Sequence, residues 1–227
     1  MNRKELANMI DHTQLQAYAT KEDFVLLCQQ AIDNEFKMVA INSYPVKYCA
    51  QLLKDSSIHV GAAIGFPLGQ TTIETKIYET KNAIENGADE IDYVINITEL
   101  KASNWNYLQE EMKQIVAVCK TSNVLVKVIF ENCYLEKEEI RKMAEIATNI
   151  KPDFIKTSTG WGPGGATVED VTLMKEVVKD ACEVKAAGKI RDWPTCKSMI
   201  EAGATRIGTS SSLIILKEFE ESIKENI

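Results

Sequence analysis

Lys127, Lys156 and Lys185 each sit inside an apolar, strand-like stretch: Val124-Leu125-Val126-Lys127-Val128-Ile129-Phe130, Phe154-Ile155-Lys156-Thr157 and Val184-Lys185-Ala186-Ala187. The intervals between them are 29 residues and 29 residues. Lysine is among the residues least often fully buried, because moving an ammonium out of water is costly. Three at the period of a strand–helix repeat imply amines aimed into one shared interior. A lysine attacks a carbonyl only as the neutral amine, and an ordinary pKa near 10.4 leaves almost none neutral at pH 7. Burial and a second ammonium nearby both favour the neutral form, and lowering the pKa by about 3 units takes about 4 kcal/mol. Lys156 with Lys185 supplies such a pair. Asp92, in Glu90-Ile91-Asp92-Tyr93-Val94, supplies a carboxylate to act as general acid and base, through water, on a hydroxyl or an α-carbon proton. That combination describes Schiff-base carbon–carbon bond chemistry. Any one of these lysines alone fits an ion-paired structural role equally well; the set points to chemistry.

The elements that must position these groups are legible from the alternation of short apolar runs with helix-period segments. Strands are expected over 9–12, 38–42, 59–66, 90–97, 124–131, 154–159, 183–188 and 206–210. Helices are expected over 21–36, 45–54, 71–86, 105–120, 136–149, 168–181, 193–202 and 213–227. Thr71-Thr72-Ile73-Glu74 resembles a capping box and Pro45 suits a first turn. Glu85-Asn86-Gly87-Ala88 and Glu201-Ala202-Gly203-Ala204 read as helices stopped by glycine, the same module repeated. Eight units in 227 residues average about 28 each and predict a closed (β/α)8 barrel, an α/β fold in a single domain over 1–227. An open doubly wound sheet is the alternative, weakened by the missing G-x-G-x-x-G after the first strand. In a barrel the three lysines belong to the adjacent fifth, sixth and seventh strands, and the fourth brings Asp92 beside them.

Two loops then fall where such barrels hold phosphate. Gly188-Lys189-Ile190-Arg191 follows the seventh strand, and Gly208-Thr209-Ser210-Ser211-Ser212 follows the eighth and opens the last helix. Glycines permit close approach and hydroxyls add donors; a plain serine N-cap is the blander reading of the second loop. The stretch Thr159-Gly160-Trp161-Gly162-Pro163-Gly164-Gly165 follows Lys156 and is expected at the site's edge, with Gly160 and Trp161 near substrate.

Composition narrows the class. A formal charge of −7 argues against nucleic-acid binding, while leaving room for a local basic pocket. No window approaches 18 consecutive apolar residues, and the first residues lack the apolar core of a signal peptide, so the chain reads as cytosolic, with no membrane association. Cys28, Cys49, Cys119, Cys133, Cys182 and Cys196 are scattered, as small hydrophobes in a reducing compartment are. The two histidines, His12 and His59, form no close ligand pair, so no zinc or iron site is expected.

The blocks also carry a resemblance. Lys156-Thr157-Ser158-Thr159-Gly160, followed by WGPGGAT, resembles the Schiff-base strand of the deoxyribose-phosphate aldolases. GADEIDYVIN (87–96), GFPLG (65–69), LVKVIFE (125–131), VKAAGKIR (184–191), AGATRIGTSS (202–211) and Asp11-His12-Thr13 match the same family in order. The resemblance runs from about residue 9 to 215, and all the blocks in sequence are specific. It implies a class I aldolase, without metal or cofactor, that splits 2-deoxy-D-ribose 5-phosphate into acetaldehyde and D-glyceraldehyde 3-phosphate. It further implies Lys156 as the Schiff-base lysine, Lys185 perturbing it and sharing proton transfer with Asp92, and Gly188, Lys189, Gly208, Ser210 and Ser211 in the phosphate loops. Lys127 becomes a polar interior residue and Asp11 a residue of the pocket wall. Partners are a phosphorylated sugar and aldehydes, with assembly as a homo-oligomer. One departure bears on the site: Lys189 stands where relatives carry glycine, which strains it if φ is positive there. A Schiff-base enzyme for another phosphorylated sugar and a non-catalytic sugar-phosphate-binding relative are the competing readings.

Overall fold

Apolar runs of four to six residues cannot bury both faces alone; alternated with amphipathic helices, they close on themselves. In the computed structural model, which describes residues 1–224, α1 (Arg3–Ala7) precedes β1 (Ile10–Gln14), α2 (Lys21–Asn34), β2 (Met38–Asn42), α3 (Val46–Leu53) and β3 (His59–Ile64). Then come α4 (Ile73–Glu85), β4 (Glu90–Val94), α5 (Ile97–Lys101), α6 (Trp105–Thr121), β5 (Leu125–Ile129), α7 (Lys137–Ile150) and β6 (Phe154–Lys156). The chain continues through α8 (Val168–Val178), β7 (Glu183–Ala187), α9 (Trp193–Glu201), β8 (Arg206–Thr209) and α10 (Ser212–Lys224). All pairings are parallel and the order β1-β2-β3-β4-β5-β6-β7-β8 closes, β1 on β8, into the expected (β/α)8 barrel. Among the described residues no helix is long and apolar enough to cross a membrane.

Local chemistry sets the element ends. Thr20, Thr72, Thr167 and Asp192 accept from backbone N–H groups three residues on and start α2, α4, α8 and α9. The cap of α4 is Thr72, one residue later than the predicted capping box, and its partner is Thr75. Gly87 and Gly203 stop α4 and α9 at φ 101° and 111°, conformations that cost any other residue a steric penalty. Helices turn one stripe inward: Leu27, Cys28 and Ala31 from α2, and Ile140, Met143, Ala144 and Ala147 from α7, are buried against the barrel. Each large side chain among them contributes about 1.5–3 kcal/mol.

The differences from expectation sit at the ends. Every strand from β3 to β8 stops earlier than predicted, β6 already at Lys156, because their last residues leave the ladder to build loops. The short helices α1 and α5 and the single 3-10 turn Asn132–Tyr134 lack enough apolar period to be foreseen. The last three residues of the final predicted helix, 225–227, lie outside the described residues.

Candidate active site

Register converts the even lysine spacing into a cluster. Asp92 of β4 lies opposite Lys127 of β5, and Lys156 of β6 opposite Lys185 of β7. All three amines reach one carboxylate: Lys127 Nζ lies 2.7 Å from Asp92 Oδ1, and Lys156 and Lys185 Nζ lie 2.8 and 2.7 Å from Oδ2. All four side chains are buried. The contacts are direct.

Beneath them runs a second layer that sequence reasoning did not single out. Lys127 also pairs with Glu90, Lys185 with Asp11 at 2.5 Å, and Arg206 with both Asp11 at 2.8 Å and Glu90 at 3.1 Å. The Phe154 ring lies near Lys127 and Arg206, their charged ends 6.0 and 5.0 Å from its centroid. Glu90 and Arg206 were visible as charges at the starts of apolar strands, the same signal that exposed the lysines. Asp11, expected at the pocket wall, is fully buried and pairs with Lys185 and Arg206.

The charges of this interior nearly cancel. Asp11, Glu90 and Asp92 balance Lys127, Lys185 and Arg206, which leaves Lys156 as the surplus ammonium. Burial lowers the Lys156 pKa most, Asp92 opposes, and Lys185 and Lys127 lower it further, to about 8. That is about 3 kcal/mol below an ordinary lysine and leaves about a tenth of the amine neutral at pH 7. Burial favours the neutral form of Asp92, but the three ammoniums outweigh it and hold the carboxyl well below its usual range. Lys127 goes the other way: burial would lower it, yet Asp92 and Glu90 raise it, so it stays charged.

Lys156 opens into a cavity of about 500 Å³ at the C-terminal face of the barrel. Thr159, Gly160, Trp161, Gly188, Lys189, Gly208 and Ser210 line it, together with His12 and Arg191, which were not among the predicted site residues. Ser211 and Lys127 do not line it; Ser211 donates its N–H to Thr209 Oγ1 at 2.9 Å at the start of α10. A Cβ on Gly208 of β8 would come within 3.1 Å of the Lys185 stem and 3.0 Å of Ala187 Cβ, so glycine here lets the strand pack close to the lysine. His12 is fixed by Gln30 and Ser212, both at 2.9 Å, and burial lowers its pKa. Lys189 has φ 61° and directs its ammonium to the Pro163 carbonyl, tying the β7 loop to the glycine-rich loop after β6.

A closed parallel barrel with a buried lysine of lowered pKa, a carboxylate beside it and an open cavity at its C-terminal face has the form of a (β/α)8 enzyme. The chain belongs to the DeoC/LacD family of aldolases, whose model matches residues 6–216. It is 53% identical over 222 residues to the deoxyribose-phosphate aldolase of Lactobacillus acidophilus, covering 98% of this chain and 94% of that one. It is 49% identical over 219 residues to that of Thermococcus kodakarensis, covering 96% and 98%. Among solved structures, the aldolase QR15 is similar with a TM-score of 0.91 at 37% identity, covering 97% of this chain and 98% of that one. A tetrameric deoxyribose phosphate aldolase from Aeropyrum pernix is similar with a TM-score of 0.91 at 29% identity, covering 97% and 93%.

Proposed function

We propose that the protein is a class I aldolase that reversibly cleaves 2-deoxy-D-ribose 5-phosphate, with Lys156 forming the Schiff base. The observation that carries this reading is the surplus ammonium: Lys156 is the cation of the charged cluster left over once three carboxylates have paired, and it faces the cavity. Its neutral amine attacks the aldehyde carbon, and loss of water gives an iminium. That iminium draws the electrons of the C2–C3 bond while the C3 hydroxyl gives up its proton, which releases D-glyceraldehyde 3-phosphate. The enamine left on Lys156 is protonated at carbon, and hydrolysis frees acetaldehyde. Asp92, held ionised, acts first as a base and proton carrier between Lys156 and Lys185. Lys189 and Arg191 supply countercharge for the phosphate, Gly188 after β7 and Gly208 in β8 allow close backbone approach, and Ser210 lies just before α10. Trp161 and Gly160 bound the other wall.

Borohydride reduction in the presence of acetaldehyde, with mass mapping, is expected to mark Lys156. Cleavage of the sugar phosphate is expected to fall at least about 1,000-fold in Lys156→Ala. Wild-type-like cleavage in that variant, or a label on another lysine, overturns the assignment. Assembly as a homo-oligomer belongs to the same proposal, supported by the tetrameric relative, and light scattering of the purified protein reads it.

A further inference from the structure

Six carboxylates are buried among the described residues: Asp11, Glu90, Asp92, Glu111, Glu131 and Asp170. Five hold ion pairs with lysine or arginine. Glu131 is the exception; its oxygens meet no cation within ion-pairing distance among the described residues. They accept from the Thr159 N–H at 3.2 and 3.3 Å, from the Thr159 hydroxyl, and from Cys133 Sγ at 3.8 Å. Glu131 is only 2% exposed. An unpaired carboxylate in such a place is costly, and retaining the proton is the usual relief.

The backbone holds this carboxyl close to the reacting lysine. Glu131 follows β5 with φ 58° and ψ 59°, an uncommon conformation for a residue other than glycine. It is pinned between two rungs, from Phe130 N–H to the Lys156 carbonyl and from Asn132 N–H to the Thr157 carbonyl, both 2.9 Å. Thr159 is the link outward. It lines the cavity with Lys156, its Oγ1 accepts from the Trp161 N–H at 3.0 Å, and its hydroxyl turns back to Glu131. Behind it lies a second cavity of about 420 Å³, lined by Glu131, Thr159, Trp161, Tyr134, Leu68 and Lys101.

The Lys156 reaction needs a proton that the charged cluster does not readily give. Asp92 is held ionised by three ammoniums and Lys127 keeps its proton more firmly than a free lysine, while the proton that Lys185 exchanges passes to Asp92. We infer that Glu131 is a positioning residue for this reaction, exchanging a proton through the Thr159 hydroxyl with the oxygen lost when the Lys156 adduct dehydrates. In the carbinolamine, the nitrogen lone pair forms the C=N bond as the C–O bond breaks. The Thr159 hydroxyl turns from Glu131 to the departing oxygen and gives it the Oγ proton, Thr159 takes the proton of Glu131 in its place, and water leaves behind a carboxylate. Hydration of the product iminium runs the same path backwards and returns the proton. The groups facing Glu131 act on its proton in opposite senses. Burial raises its pKa, Thr159 and the Lys156 charge oppose, Cys133 and Tyr134 stand on the following turn, and Lys101 across the second cavity is neutralised by Glu139 at 2.6 Å.

This inference rests on the Schiff-base reading, and the test separates the two. The rate of borohydride trapping with acetaldehyde is measured from about pH 5 to about pH 9 in wild type and four variants. These are Glu131→Gln, Thr159→Val, Thr159→Ser, and the double variant that combines Glu131→Gln with Thr159→Val. Glu131→Gln keeps the shape and one acceptor oxygen but holds no exchangeable acid proton; it is expected to trap about 10- to 100-fold more slowly and to lose the fall in rate that deprotonation of Glu131 imposes as pH rises. KM for the sugar phosphate and the thermal midpoint are expected to stay near wild type, as a merely structural role would not allow. Thr159→Val is expected to match it, Thr159→Ser to recover, and the double variant to be no slower than either single. Wild-type trapping in Glu131→Gln at every pH, or losses that multiply in the double variant, overturns the inference. If Glu131→Gln does not fold, the threonine variants decide, and Thr159→Ser trapping as slowly as Thr159→Val overturns it. Absence of trapping in the wild type sinks the Schiff-base reading itself.

Discussion

At the scale of single residues, what distinguishes Lys156 from its neighbours is the balance of charge around it rather than its type. Three lysines share Asp92, yet Lys127 has Glu90 as a second carboxylate and Lys185 has Asp11, while Lys156 has no second carboxylate partner among the described residues. It therefore loses the competition for the proton. The sign follows: with a pKa near 8, the neutral fraction of Lys156 rises with pH through about 8, and the limb of the imine-trapping profile that it governs rises with it. Lys185→Met removes an ammonium that opposes protonation and leaves Asp92 with fewer competing cations. Both changes raise the Lys156 pKa. Trapping at pH 7 is expected to fall about tenfold or more, with the midpoint of the pH profile moved alkaline. A midpoint that stays near 8 in that variant shows that burial alone tunes Lys156.

At the scale of elements, the strands were legible because burial on both faces demands continuous apolar runs, so a lysine inside one stands out. What was not legible is which end of a strand a polar residue occupies. Asp11 and Thr159 both belong to blocks of polar and apolar residues; one turns into the closed interior and the other into the open cavity, and only barrel closure tells them apart. The same limit applies to Glu131, which reads as the last residue of a strand but stands beyond its end in a left-handed turn. Lys189 shows the loop side of this. Its φ of 61° answers the question its replacement of glycine posed: the position is left-handed, and lysine is held there while its ammonium reaches Pro163. Glycine avoids a strain of about 1 kcal/mol at such a position. Lys189→Gly is expected to keep the thermal midpoint and kcat, while raising KM for the phosphorylated sugar several-fold and leaving KM for unphosphorylated deoxyribose unchanged. A lower melting point with unchanged KM for both sugars shows instead that the ammonium serves only to fasten the two loops.

At the scale of the whole molecule, the barrel interior departs from the layers of branched apolar side chains that ordinarily fill this fold. Asp11, Glu90, Asp92, Lys127, Lys185 and Arg206 occupy that space as a connected set of ion pairs drawn from β1, β4, β5, β7 and β8. Such a core is stable only while it is balanced, because breaking a buried pair leaves an uncompensated charge at a cost of about 3–5 kcal/mol. Arg206 does not line the cavity, and no step of the proposed reaction uses it. Arg206→Met takes one cation from Asp11 and one from Glu90, leaving them to Lys185 and Lys127, and in a chain of this size the loss is expected to lower the thermal midpoint by about 10 °C. The acid side moves too. Burial favours the neutral form of Glu90, but Lys127, the His59 hydrogen bond and Arg206 hold its pKa below the usual carboxylate value. Its contribution is therefore present above the unfolded carboxylate pKa and is lost as pH falls through the folded value. Without Arg206 that folded value rises, so stability is lost at a higher pH on acidification. Adding Glu90→Gln to Arg206→Met removes a carboxylate that has lost a cation and is expected to recover part of the midpoint and restore the acid limit. A double variant that melts at the sum of the two single losses shows that the pair is not coupled and that the interior is held by packing rather than by charge balance.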